Sequence, residues 1–281
     1  MSNVIDQNDY NFAPREQFIA YCDILGYGSH VKDRTSAIVL AKTIKHYIMS
    51  LKTPFGSSLK FDKHPECNIK LKVFSDNILI CSENNWYTIM RSVDTLQRML
   101  VVENIFIRGA LYYGDLYFDN DFICGQGIID AHKIESQIAI FPRIIIDNKF
   151  IVEANNKIEN FVKLVIEKVL DNNPNLEHVD DYQHISELML KDLKNLTKID
   201  FDGNYFMNYL KTVYLTSLDK NEPDCKNSYI KNYLSKHRDI INKNIIWNNS
   251  DRKILQKYNW CKQYHNTFCR QYNFVDLIIE E

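Results

Sequence analysis

The chain has 281 residues, 45% of them apolar and 25% charged, with a net charge of −2. That balance is ordinary for a globular protein and gives enough chain for one sizeable core. The near-neutral charge excludes a broad basic surface for nucleic acid, and no apolar run approaches the roughly 20 residues that a membrane helix needs.

The opening stretch, MSNVIDQNDYNFAPREQ, is polar and has no apolar signal segment, so the expected setting is the cytoplasm. Residues 18–24 (FIAYCDI) form an apolar run that ends on Asp23 and Ile24 and breaks at Gly26 and Gly28, the pattern of a buried strand entering a turn. Over 35–51, Ile38, Val39, Ala41, Ile44, Ile48 and Leu51 recur at helical steps. Residues 53–65, with two prolines and a glycine, read as a loop. The runs 69–74 and 78–81 flank Ser75-Asp76-Asn77, which predicts a hairpin with a three-residue connection and Asp76 at its tip. A second helical stripe follows from Trp86 to Leu100, then a strand at 104–113, with 115–118 pairing back on it through a turn at Gly114. A helix is expected over 127–137 and a strand over 143–146.

This order predicts an α+β fold with a ferredoxin-like βαββαβ core plus an extra helix and strand. Three segments follow: a tail (1–15), a core domain (16–150) and a mostly helical C-terminal region packed on it (151–281). In that region helices are expected at 157–170, 184–196, 229–246 and 250–271, with a break at 199–207 (IDFDGNYFM). Seven cysteines are scattered without a CxxC pair, so no structural zinc site is expected, and Cys22 and Cys81 read as core residues.

Two aspartates carry the chemistry. Asp23 ends the first strand and Asp76 tips the hairpin beside it, so they can meet although 53 residues separate them. Adjacent carboxylates repel unless a cation lies between them. Oxygen-only ligation suits Mg²⁺ or Mn²⁺, and a metal pair about 3.5–4 Å apart can activate a hydroxyl and stabilise a leaving oxygen.

Four segments in order resemble class III nucleotidyl cyclases. They are FIAYCDILGY (18–27), KVFSDNILI (72–80), RGALYYG (108–114) and GQGIIDAHKIE (125–135). The likeness is closest to the pyrimidine cyclases of bacterial Pycsar anti-phage systems, through PRIII (142–146), DFDG (200–203) and a late cluster of Lys257, Tyr258, Trp260, Tyr264, His265 and Asn266. It implies conversion of UTP, or CTP, to the 3′,5′-cyclic monophosphate and pyrophosphate, the product acting on a cyclic-nucleotide-binding effector. It implies two divalent cations held by Asp23, Asp76 and the Ile24 carbonyl, and a homodimer with composite sites. A purine cyclase, or a non-catalytic nucleotide-binding protein on the same fold, is the alternative.

Further roles are expected, some from the resemblance and some from position and spacing alone. Lys72 falls where adenylyl cyclases of this class place a base-reading lysine, or else alternates outward with Lys70. Arg108 contacts phosphate or makes a structural ion pair, and Gly26 and Gly125 flank the substrate. Where the family carries Asn and Arg on the closing helix this chain has Ile129 and Lys133, so Lys133 is either a point-charge substitute for the transition-state arginine or a solvated side chain. His265 and Asn266 read as packing and capping residues.

Overall fold

The computed structural model describes residues 13–52, 69–172, 182–218 and 223–280. The expected N-terminal tail falls largely, and the loop at 53–65 wholly, outside these residues. The elements run β1 (Arg15–Ile24), α1 (Tyr27–His30), α2 (Arg34–Lys52), β2 (Lys70–Phe74), β3 (Asn77–Ser82), α3 (Trp86–Val101), β4 (Ile107–Phe118), β5 (Ile123–Cys124), α4 (Gln126–Gln137) and β6 (Ile144–Ile146). They continue through α5 (Asn148–Asn156), α6 (Ile158–Asn172), α7 (Tyr182–Leu196), β7 (Thr197–Ile199), β8 (Tyr205–Met207), α8 (Tyr209–Leu218), α9 (Pro223–Trp247) and α10 (Arg252–Gln271).

The sheet order is β2-β3-β1-β4-β6-β8-β7, with β5 paired to β4. Strands β1 to β4 thus take the antiparallel order 2-3-1-4 of a βαββαβ unit. β6 adds in parallel to β4, a pairing that needs a crossover connection, which α4 supplies. The C-terminal region also feeds the sheet. The stretch 199–207, expected as a break, is a hairpin whose strands β7 and β8 extend the edge beyond β6.

β1 is central and buried on both faces, which is why its run lacks polar alternation. Phe18, Ala20, Cys22 and Ile24 join the core with α2 and α3, while Ile19 and Tyr21 face α4. Asp23 continues the α4 face, because side chains alternate along a strand. Two local expectations are corrected. The β2–β3 connection is a two-residue turn, Ser75-Asp76, with Asn77 already paired to Phe74 and Ser75 at φ 55°. β4 runs straight through Gly114, where a Cβ would meet the Tyr112 ring at 2.8 Å and the Gly127 backbone at 3.3 Å. That glycine permits close packing of α4 and makes no turn.

A second core joins α8, α9, α10 and the C-terminal strap. At its centre the Tyr209 hydroxyl meets His237 Nε2 at 2.8 Å, His237 Nδ1 meets His265 Nδ1 at 2.9 Å, and His265 Nε2 lies 2.9 Å from the Leu277 carbonyl. A carbonyl only accepts, so His265 donates from Nε2, His237 donates to its free Nδ1, and Tyr209 donates to His237 Nε2. Every link is satisfied with both rings neutral. Asn266 brackets the Ile279 backbone with two hydrogen bonds of 2.9 and 2.8 Å, so both late polar residues are structural.

Burial pushes His265 down to about 4 and His237 well below its ordinary value. The unfolded chain therefore takes up protons below about pH 6.5 that the folded one refuses, and stability falls with pH. The expected loss is up to about 1.4 kcal/mol per pH unit for each imidazole, read from urea melts at pH 7 and 5.5. Long-range ¹⁵N–¹H spectra should show both rings neutral at pH 5.5. They separate the effect from the buried carboxyls Asp94 and Glu135, whose raised values act with the opposite sign.

Candidate active site

The candidate site lies where β1 and the β2–β3 turn end together. The Ile24 amide donates to the Asp76 carbonyl at 2.9 Å, which ties the two chain ends. In an extended strand a residue's N–H and C=O point the same way, so the Ile24 carbonyl also faces the turn. Asp23 stands opposite Asn77 on one side and Arg108 on the other. Both carboxylates are partly buried, and Asn77 Nδ2 donates to Asp76 Oδ1 at 3.0 Å.

Arg108 projects on the face of Asp23 and meets it at 3.2 Å through Nε. The same Nε lies 2.7 Å from Glu135 Oε1, an ion pair without good hydrogen-bond alignment. Arg108 thus makes ion pairs with both Asp23 and Glu135. Glu135 reaches it because Gly127, Ala131 and Glu135 form the buried stripe of α4, laid along Ile19, Tyr21 and Asp23. A glutamate on a buried helical stripe next to a glycine and an alanine demands a cation, and that was the signal available in the sequence.

Electrostatics mark the same spot. Desolvation raises the Asp23 carboxyl above its ordinary value, with Arg108 opposing and Asp76 adding to the rise. Glu135 is raised by burial in the same way, again with Arg108 opposing. Burial, then Glu135, Asp23 and Asp76, push the Tyr21 hydroxyl up to about 12. Lys257, which the sequence placed only in the late cluster, enters from α10. Desolvation and Arg108 lower its ammonium, while Asp23, Asp251 and Glu135 hold it up. Three carboxylates therefore face two cations, an excess that leaves room for a further positive charge.

The remaining expected site residues take separate local settings. Gly26 takes a φ of 70° as the chain leaves β1, and its carbonyl accepts from the Ser29 amide at 2.8 Å. Gly125 opens α4 ten residues before Glu135, about 15 Å along the helix, and a Cβ there would meet the Asp115 carbonyl at 2.3 Å. It is a close-packing glycine at the far end of α4. Lys72 donates to the Asn120 carbonyl at 2.8 Å, and Lys133 is exposed and pairs with Asp130 at 3.4 Å. Within one chain neither is tied to the aspartates. Ile129 is exposed.

The donor set fits a hard divalent cation, since it consists of two carboxylates and a backbone carbonyl with no nitrogen or sulfur. Among the described residues no group of three or more His, Cys, Asp and Glu side chains forms a metal site. Any ion here takes its remaining ligands from substrate and water.

The class that fold and site define is an α+β protein of ferredoxin-like strand order with paired carboxylates at one sheet end. No family model and no curated protein matches the chain. Among solved structures, the crystal structure of the guanylyl cyclase Cya2 aligns over 50% of this chain and 79% of that one, at 15% identity and a TM-score of 0.29. Among the described residues no helix is long and apolar enough to cross a membrane.

Proposed function

We propose that this protein is a nucleotidyl cyclase that converts a pyrimidine nucleoside triphosphate, UTP before CTP, to its 3′,5′-cyclic monophosphate. The observation that carries the reading is the tie between Ile24 and the Asp76 carbonyl, which seats two carboxylates at one sheet end where negative groups outnumber cations. The ordered cyclase-like segments support it. In the reaction the ribose 3′-oxygen bonds to the α-phosphorus, the bond to the pyrophosphate oxygen breaks, and the hydroxyl proton passes to water.

Asp23, Asp76 and the Ile24 carbonyl would hold two Mg²⁺ or Mn²⁺ ions, which supply charge neutralisation and hydroxyl activation. Arg108 and Glu135 fix the orientation of Asp23. Lys72 and Lys133, tied locally within one chain, act across the interface of a homodimer with composite sites. The product serves as a second messenger of anti-phage defence in the cytoplasm, read by a cyclic-nucleotide-binding effector.

A second reading has one observation in its favour. Arg108 already pairs with Asp23, as a non-catalytic nucleotide-binding protein would allow. One experiment decides. Pure protein is incubated with Mn²⁺ and each of the four nucleoside triphosphates, and products are separated by chromatography. Cyclic UMP or CMP is expected in excess; a purine product would move the assignment to a purine cyclase. No cyclic product from folded protein would end the catalytic reading.

A further inference from the structure

Lys257 stands 234 residues after Asp23, and two contacts of α10 fix where it is delivered. The Tyr258 ring packs edge-on against Phe106 at 5.3 Å, and the Phe106 carbonyl accepts from the Leu25 amide at 2.9 Å. The residue after Lys257 is thus seated on the junction of the chain ends that carry Asp23 and Arg108. One turn on, Trp260 Nε1 donates to Asp200 Oδ2 at 2.8 Å and its ring meets Phe206 at 5.5 Å, so the helix cannot roll at this point.

Lys257 is half-buried, and among the described residues it makes no ion pair or hydrogen bond. Its ammonium feels the charges of Arg108, Asp23, Asp251 and Glu135 without contacting any of them. Arg108 has two carboxylates of its own within 3.2 Å. Of the two cations facing the site, only Lys257 lacks an anion in contact. A cation half-withdrawn from water without a partner costs free energy, and a ligand carrying negative charge removes that cost.

We propose that Lys257 binds the polyphosphate of the nucleoside triphosphate, so that the C-terminal helical region supplies a substrate-binding residue to the sheet end of its own chain. The inference rests on the reading of the Asp23–Asp76 site as a nucleoside triphosphate site. An ammonium on a flexible stem suits the terminal phosphates, which present oxygens in several directions and need a point charge rather than a planar fork. It also gives the late helix a functional reason to lie across the end of β1 and β4.

Binding without turnover tests this. The ligands are the α,β-methylene analogue of UTP and inorganic triphosphate, each with Mn²⁺, titrated calorimetrically into the full chain. Lys257→Met keeps the apolar stem and should weaken both ligands by about tenfold or more, as loss of a charge-assisted contact does. Lys257→Arg should restore binding to within about threefold. Equal weakening in the Met and Arg variants would mark the residue as structural and overturn the inference. Parent-like binding by Lys257→Met, with binding lost in Asp23→Asn, would overturn it while leaving the site reading intact. Absence of any Asp23-dependent binding in the parent protein would remove both together.

Discussion

Asp23→Asn is expected to lower cyclic-nucleotide formation by about 10³-fold or more while leaving the metal-free protein as stable as its parent, or slightly more so. The two halves of that expectation have separate causes. Asparagine keeps the shape and the hydrogen-bonding capacity of the side chain but offers no negative charge, and a hard divalent cation between carboxylates depends on that charge. Stability behaves differently because burial holds the Asp23 carboxyl above its ordinary value even with Arg108 beside it. A carboxyl raised in the folded state favours its protonated form there, so at neutral pH the fold bears the cost of the ionised group. Asparagine is neutral at every pH and removes that cost, and Glu135 remains to pair with Arg108. Thermal melts in EDTA should therefore show no loss for the variant. Melts with Mn²⁺ and triphosphate should show the parent rising and the variant flat, as mass action requires of a ligand that only the parent binds. Asp76→Asn should match the activity loss, and the double variant should lose little more than either, since two ligands of one metal site act as a unit. Product formation within tenfold of the parent in the double variant would sink the two-carboxylate mechanism.

Much of this arrangement is legible before any coordinates. The apolar run of five residues from Phe18 to Cys22, just before Asp23, can be a central strand only if both faces are covered, and it is. The helical stripes of α2 and α3 and the hairpin at Asp76 follow from strict spacing in short windows. Short-range rules fail where a residue's partner is remote. Glu135 is marked only by its spacing from Gly127 and Ala131, which shows a buried stripe but not its cation, and Lys257 on a distant helix carries no local mark of burial. Arg108, which pairs with the first and repels the second, lies 27 positions before Glu135 and 149 before Lys257. Gly114 reads as a turn for a related reason. Glycine serves both a bend and a close helix contact, and only the position of α4 distinguishes them. The hairpin of β7 and β8 was hidden because three-residue strands are too short to show alternation.

The turn of that hairpin explains why DFDG stands there and yields the second large expected effect, a loss of about 3–5 kcal/mol of stability in Arg143→Met. Arg143 is fully buried where the chain enters β6. Its guanidinium pairs with Asp200 and with Asp202, and Nη2 also donates to the Ile138 carbonyl at 3.3 Å. The Phe141 ring covers it at 5.3 Å, and Trp260 both stacks on Phe141 and donates to Asp200. One guanidinium thus fastens the β7–β8 turn, the entry to β6 and helix α10 together. Methionine would fill much of the volume but would leave the part-buried Asp200 without its cation and release the more exposed Asp202, and breaking one side of such an ion-pair network is costly. Arg143→Lys should rescue little, because a compact ammonium lacks the spread of the planar guanidinium that reaches Asp200, Asp202 and the Ile138 carbonyl together. The hydrogen bond from Arg143 holds the Asp202 carboxyl down to about 2, below its unfolded value, so this contribution is intact at neutral pH and is lost only as pH falls through the acid range toward that value. Urea unfolding at pH 7 gives the magnitude, and a loss under 1 kcal/mol would show that the cluster is dispensable. Because Trp260 sits one turn from Lys257 on α10, the same variant, assayed below its own melting temperature, should also weaken triphosphate binding more than it alters Asp23-dependent metal binding, linking the remote arginine to the site through the helix it anchors.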